Sequence, residues 1–245
     1  MNFTILGATQ GMGQALARLI SSRGDALFLL GNDRQELESC ARDLEARSGY
    51  PVAGMALCDL RQPKEFPLVL DEARSKLGRL DSVVVTAGIF HAQEAMEKES
   101  NLARDLLTID FTNTILFCEE ARKRLLEDGG GTLCVFSSVA GDRGRKPVIL
   151  YGAAKAGLSN YLEGLDHKFR SRGLVTICVK PGFVKTGMTA GLKPPPFAGE
   201  PEPVARMVLS AIDSGKPQVY VPGVWRWVMF VIRLLPRFVM RRIGF

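Results

Sequence analysis

The chain has 245 residues, 46% of them hydrophobic and 24% charged. That balance excludes a disordered or low-complexity polypeptide and fits one α/β domain with a substantial core. The net charge of +6 is uneven: Arg226, Arg233, Arg237, Arg241 and Arg242 lie in residues 221–245 with no acid, so the body is nearly neutral and no nucleic-acid partner is expected.

Cys40, Cys58, Cys118, Cys134 and Cys178 are scattered, with no C-x-x-C spacing, and read as buried reduced thiols of a cytoplasmic protein. His91 and His167 are far apart, so no metal site is expected. Strand-like NFTIL begins at residue 2 without a basic leader, so no signal peptide is expected.

Residues 2–6 read as a short apolar strand. Gly7-Ala8-Thr9-Gln10-Gly11-Met12-Gly13 follows, then a helical stretch. Glycines between a strand and a helix let the backbone approach a pyrophosphate, and free N–H groups at the helix start meet its charge. Gly7, Thr9, Gln10, Gly11 and Met12 are therefore candidate cofactor contacts; the alternative is a purely structural turn. The second strand, 26–30, ends at Gly31-Asn32-Asp33-Arg34. A carboxylate at that strand end would hold ribose hydroxyls and favour NAD, but Gly31 stands there. Asn32 and Arg34 suit a 2′-phosphate and favour NADP. Asp33 either opposes that preference or caps the helix predicted over 34–48.

Strand three is predicted over 52–57. Asp59, next to Leu60, either accepts from an adenine amino group or caps a helix over 63–77. Strand four, 81–85, leads into Thr86-Ala87-Gly88, where Ala87 and Gly88 are small enough for a cofactor to lie over the backbone. Residues 101–126 read as one long helix with Asp110 near its middle. Strand five, 132–136, runs into Ser137-Ser138.

A helix predicted over 151–172 carries Tyr151 and Lys155 on one face, because positions i and i+4 share a side. A neighbouring ammonium stabilises a phenolate and lowers its pKa, and the Ser138 hydroxyl can hold a carbonyl or alcohol oxygen. The set suits proton transfer at an oxygen while a hydride moves at the attached carbon. Taken alone, a Tyr and a Lys four residues apart is also an ordinary helix surface. Strand six, 174–180, is followed by Pro181, Gly182, Val184 and Thr186, then a Pro/Gly-rich loop over 187–203, a helix over 204–214 and a last strand, 218–221. Strands alternating with helices predict an α/β fold: a single Rossmann-type doubly wound parallel sheet covered on both faces, with ligands beyond the strand carboxyl ends.

These motifs resemble the short-chain dehydrogenase/reductase family over nearly the whole chain. Gly7, Gly11 and Gly13 match its cofactor loop, Asp59 its adenine contact, Ala87-Gly88 its strand-four motif, and Pro181-Gly182 with Thr186 its nicotinamide-side motif. Ser138, Tyr151 and Lys155 match its catalytic set. The resemblance implies that Tyr151 is the general acid in reduction. It also implies that Lys155 lowers the Tyr151 pKa and holds the nicotinamide ribose, and that Ser138 binds the substrate oxygen. A homodimer or homotetramer through 101–126 and 151–172 is likewise implied. Two departures stand out: Val85 and Thr86 replace asparagines, and Asp110 replaces the asparagine that positions a relay water. That carboxylate can pair with Lys155 and raise the tyrosine pKa. The second half is also similar to decaprenylphosphoryl-2-keto-β-D-ribose reductases, which work with a separate oxidase to make an arabinofuranose donor for cell-surface glycans.

Residues 224–245 form a basic amphipathic tail to the 1–223 body. Its longest apolar run, Trp227–Ile232, is far short of a membrane span. The tail reads as an interfacial helix interrupted by Pro236, its arginines on one side and its tryptophans at headgroup level. The alternatives are a substrate lid or an oligomer contact. The expected protein is thus cytoplasmic, peripheral on the inner face of a membrane, and an NAD(P)H-dependent ketone reductase without a metal, NADP being favoured. Its expected substrate is a lipid-linked 2-keto-pentofuranose whose phosphate meets an arginine or Lys193. A 3-oxoacyl or other hydrophobic ketone, or a nucleotide sensor that has lost turnover, are the competing readings.

Overall fold

Strands β1 (Asn2–Leu6), β2 (Ala26–Gly31), β3 (Gly54–Leu57), β4 (Ser82–Val85), β5 (Gly131–Phe136), β6 (Leu174–Pro181) and β7 (Gln218–Val221) pair in one sheet of order β3-β2-β1-β4-β5-β6-β7. Every pairing is parallel. The computed structural model describes residues 1–244. β4, SVVV, is buried along its whole length, as expected of a strand covered on both faces.

One face packs on helices α1 (Gly11–Ser22), α2 (Arg34–Ser48) and, near the end of the chain, the helix Pro201–Ser214, through Leu16, Ile20, Leu37, Val204 and Val208. The other packs on α3 (Phe66–Leu77) and the helices Thr114–Glu127 and Ile149–Phe169, through Phe66, Leu70, Phe117, Leu125, Leu158 and Leu162. Short helices α4 (Gln93–Lys98) and α5 (Ser100–Leu107) precede a π-helical turn, Thr108–Asn113, that leads into α6 (Thr114–Glu127). α7 is Ile149–Phe169, α8 is Pro201–Ser214, α9 is Trp225–Leu234 and α10 is Arg237–Met240.

The long helix expected over 101–126 is therefore interrupted. Thr114 donates its hydroxyl to the Ile109 carbonyl, five residues back, at 2.7 Å within the wider turn. Such turns re-aim side chains, and this one carries Asp110. α4 had no counterpart in the sequence reading. α7 and α8 start two and three residues earlier than expected, α8 with Pro201 in its first turn.

The tail is two helices, with Leu235 extended at the end of α9 and Pro236 opening α10. The expected single stripe of arginines is accordingly split. Trp225, Met229 and Ile232 are buried against the body. Trp225 therefore stands away from any headgroup level, donating its indole N–H to the Phe197 carbonyl at 3.2 Å. Gly182 makes that seat: a Cβ there would overlap the Trp225 ring. Among the described residues no helix is long and apolar enough to cross a membrane.

Candidate active site

The sheet order reverses between β1 and β4, where a doubly wound sheet opens a crevice at its carboxyl edge. Gly7 closes that crevice tightly: its φ is +95°, and a Cβ would stand 2.6 Å from the Ala87 nitrogen. Thr86, where the resemblance implies an asparagine, donates its hydroxyl to the Gly7 carbonyl at 2.8 Å and so ties β4 to the turn. No side chain caps α1 at Gln10, which leaves the amides of its first turn free for an anion.

Gly7, Thr9, Gln10, Gly11, Met12, Asn32, Asp59, Leu60, Ala87, Gly88 and Thr186 line a cavity of ≈ 270 Å³ at this crevice. Asp110, Ser138, Tyr151, Lys155, Pro181, Gly182 and Val184 line a second of ≈ 670 Å³. Met12, Thr86, Gly88, Thr186 and Met188 border both, so the two open into one another. The first, with its free amides and glycine turn, fits a dinucleotide; the second is mostly apolar.

Arg34 is the exception. It is the first residue of α2, is exposed and borders neither cavity. Asp33 caps α2, accepting from the Glu36 amide at 2.9 Å. Glu36, which the sequence reading passed over, lines the nucleotide cavity instead. Its carboxylate accepts from Thr9 Oγ1 at 3.0 Å and from Gln10 Nε2 at 2.9 Å. Asp59 accepts from the Arg61 amide at 2.8 Å, a local turn that sets it at the cavity wall.

β5 delivers Ser138, whose Oγ accepts from the Ala140 amide at 3.1 Å. α7 delivers Tyr151 and Lys155 one turn apart, the Lys155 Nζ lying 5.6 Å from the Tyr151 ring centre. Phe90 meets the Tyr151 ring edge-on at 5.3 Å. Lys155 is 4% exposed and Asp110 fully buried. Lys155 Nζ lies 3.3 Å from Asp110 Oδ2 and donates to the Phe136 carbonyl at 3.4 Å. Asp110 Oδ1 accepts from the Ile89 amide at 2.7 Å, while Oδ2 has no aligned donor.

These charges act on one another. Burial pushes the Tyr151 phenol up; the Lys155 ammonium pulls it down, Asp110 pushes it up again, and the net is a rise. Burial pulls Lys155 down, but Asp110 and Tyr151 outweigh it and hold its ammonium above the usual lysine value. Before a nucleotide binds, the site thus keeps a protonated phenol beside a charged lysine.

The loop between Ser138 and Tyr151 is pinned at several points. Asp142 accepts from Lys180 Nζ at 2.6 Å and from the Tyr220 hydroxyl at 2.8 Å. Arg143 donates to the Leu235 carbonyl at 2.8 Å and Lys146 to the Arg241 carbonyl at 2.7 Å, joining the loop to the tail. Trp225, Val228 and Ile232 of α9 line the larger cavity, so the tail roofs it. The sequence alone favoured a lipid surface for the tail over a lid or an oligomer contact; the structure sets one face of α9 on the wall of the larger cavity.

A dinucleotide crevice that opens into an apolar cavity walled by a hydroxyl, a phenol and an ammonium defines an oxidoreductase of the doubly wound α/β class. A family model described as short chain dehydrogenase matches residues 2–196. The chain belongs to the short-chain dehydrogenase/reductase family. An uncharacterized oxidoreductase of Mycobacterium tuberculosis is 31% identical, covering 97% of this chain and 95% of its own. Carbonyl reductase family member 4 of Xenopus laevis is 28% identical over 86% of this chain and 90% of its own. Among solved structures, levodione reductase superposes with a TM-score of 0.81 at 20% identity, covering 90% of this chain and 95% of that one. An actinorhodin polyketide ketoreductase, solved with NADPH, gives 0.80 at 22% identity with the same coverage. The structural likenesses speak for the fold alone.

Proposed function

We propose that this enzyme reduces a ketone to a secondary alcohol at the junction of its two cavities. The observation that carries the reading is the convergence of Ser138, Tyr151 and Lys155 on the wall of a large apolar pocket that opens into a nucleotide crevice. When bound, a nicotinamide supplies the hydride. Ser138 donates a hydrogen bond to the carbonyl oxygen. Tyr151 gives that oxygen its proton as the hydride reaches the carbon, and Lys155 stabilises the phenolate left behind. Asp110 holds Lys155 in place.

Asn32 on the crevice wall supports NADPH, as does the NADPH bound by the actinorhodin ketoreductase. Glu36 works against a 2′-phosphate and is the residue on which the preference turns. For the substrate we favour a polyprenyl-phosphate 2-keto-pentofuranose, made by a separate oxidase and used for a cell-surface arabinofuranose donor. The apolar walls of the larger cavity, roofed by the tail, and the likeness of that tail support it. A location on the inner face of the cytoplasmic membrane goes with this substrate. A homodimer or homotetramer through α5–α6 and α7 belongs to the same proposal.

The test follows nicotinamide absorbance with NADPH and with NADH. The keto-sugar is offered beside a 3-oxoacyl thioester and a simple cyclic ketone. A kcat/KM for the keto-sugar at least about tenfold above the others, a gap of some 1.4 kcal/mol, supports the substrate. Turnover of only the acyl or simple ketones keeps the chemistry and removes the sugar.

A further inference from the structure

Three cations punctuate the loop that carries the substrate side of the site: Arg143, Arg145 and Lys146. The outer two donate to tail carbonyls. Arg145 lies between them and lines the larger cavity. Among the described residues no hydrogen bond or salt bridge reaches its guanidinium, and its Nε is buried without a partner. Asp142, the nearby acid, is already engaged by Lys180 and Tyr220. Among the described residues the only carboxylate on the cavity wall, Asp110, faces Lys155.

Arg145 is half-buried, and a buried guanidinium N–H without an acceptor is costly, so proteins normally pair it. The cavity it lines is mostly apolar, with Pro147, Val148, Phe183 and Ile232 on the wall, and the charged groups that act on it are Asp142, already engaged, and Tyr151. Burial pulls the Arg145 guanidinium below the usual arginine range, against the pull of Asp142 and Tyr151 upward; an arginine side chain keeps its charge in proteins. The missing partner is thus an anion that arrives with the substrate. Arginine suits this task because its planar fork meets a carboxylate or a phosphate through two parallel hydrogen bonds. Lys193, also on the wall but exposed, adds a second, more screened positive charge at the mouth.

We infer that Arg145 is an anion anchor: the enzyme takes an amphipathic ketone whose phosphate or carboxylate docks on Arg145 while its apolar part fills the cavity beneath α9. This rests on the reductase reading for the word ketone, and on the cavity alone for the anion. Arg145 is a binding and positioning residue, and it fixes how far the carbonyl sits from the anionic group.

The test measures binding to the enzyme–NADPH complex by calorimetry, with octyl phosphate, octanoate and octanol as probes. The two anions are expected to bind at least about tenfold more tightly than octanol, a gap typical of one charged hydrogen-bonded contact. Arg145→Met should bring them within about threefold of octanol while leaving octanol itself little changed. Arg145→Lys should recover part of the gap, and NADPH affinity reports that each variant is folded. Preference for one anion over the other assigns the substrate group. Three results would overturn the proposal: no anion preference in the wild type, an equal loss for all probes in Arg145→Met, or a loss seen only in Lys193→Met. Ketone turnover in the same preparation is read separately. Retained anion preference without turnover of any ketone defeats the reductase reading and leaves the anchor; turnover without anion preference does the reverse.

Discussion

Asp110 and Lys155 form a buried ion pair, 3.3 Å apart, next to the Tyr151 ring. The carboxylate stands where the family resemblance implies an asparagine, and it divides the field of the lysine between itself and the tyrosine. Because Asp110 raises the Tyr151 pKa, Asp110→Asn should lower it. A general acid works while protonated, so reduction is present below that pKa and lost as pH rises through it. The alkaline loss of kcat/KM should therefore begin at lower pH in Asp110→Asn, with activity at neutral pH kept or raised. The reverse oxidation, which needs the phenolate, should begin at lower pH too. Asp110→Ala also removes the acceptor of the Ile89 amide and should cost roughly 1–3 kcal/mol of stability.

Gly182→Ala places a methyl group inside the Trp225 indole. The ring must leave its seat, and α9 with it. We expect a loss of about 1–3 kcal/mol in stability, as in overpacked cores. Tryptophan emission should shift to the red, and KM should rise for apolar ketones by more than kcat falls. An unmoved emission spectrum would show that the roof does not depend on this seat.

Glu36→Gln should raise the ratio of kcat/KM for NADPH over NADH. Removing one carboxylate from the ribose end is expected to change the ratio roughly tenfold, about 1.4 kcal/mol. An unchanged ratio would place the discrimination at Asn32.

The outer face of α9 leaves Trp227 66%, Phe230 58% and Leu234 68% exposed, and Arg226, Arg233 and Arg237 are exposed on the tail as well. Apolar side chains beside arginines suit the headgroup layer of an anionic bilayer. Trp227, Phe230 and Leu234 changed together to Ser should release the protein from phosphatidylglycerol vesicles in a flotation assay. This face is away from the buried seat of Trp225, so cofactor binding should persist. Equal flotation of the variant would contradict the membrane assignment.

The alternation of apolar strands with helices was legible because strands buried on both faces, such as Val83–Val85, read as continuous apolar runs. Gly7, Ser138, Tyr151 and Lys155 were legible because each lies at a strand end or on a fixed helical spacing. The interrupted helix at Asp110 was hidden, since a wider turn leaves no signature in residues with ordinary propensity. The place of Arg34 was not legible from its neighbourhood in sequence: it begins α2 outside both cavities, while Glu36, within the same first turn, reaches back to Thr9 and Gln10 on the crevice wall. Arg145 could not be singled out among three neighbouring cations until the tail was seen to engage the other two. The two-sided character of α9 was masked because its apolar arc is wider than the face that packs on the body, so Trp225, Met229 and Ile232 are buried while Trp227, Phe230 and Leu234, equally apolar, are exposed.

The central claim is that Tyr151 delivers the proton in a hydride transfer to a carbonyl. The most direct test compares wild type and Tyr151→Phe, each first shown to bind NADPH with the same affinity. Oxidation of the nucleotide by the best ketone is then followed in a single turnover. The variant is expected to keep nucleotide affinity and to lose at least about a hundredfold in rate, the low end of general acid catalysis. A variant rate within about threefold of wild type would contradict that claim and move the proton donor elsewhere in the cavity.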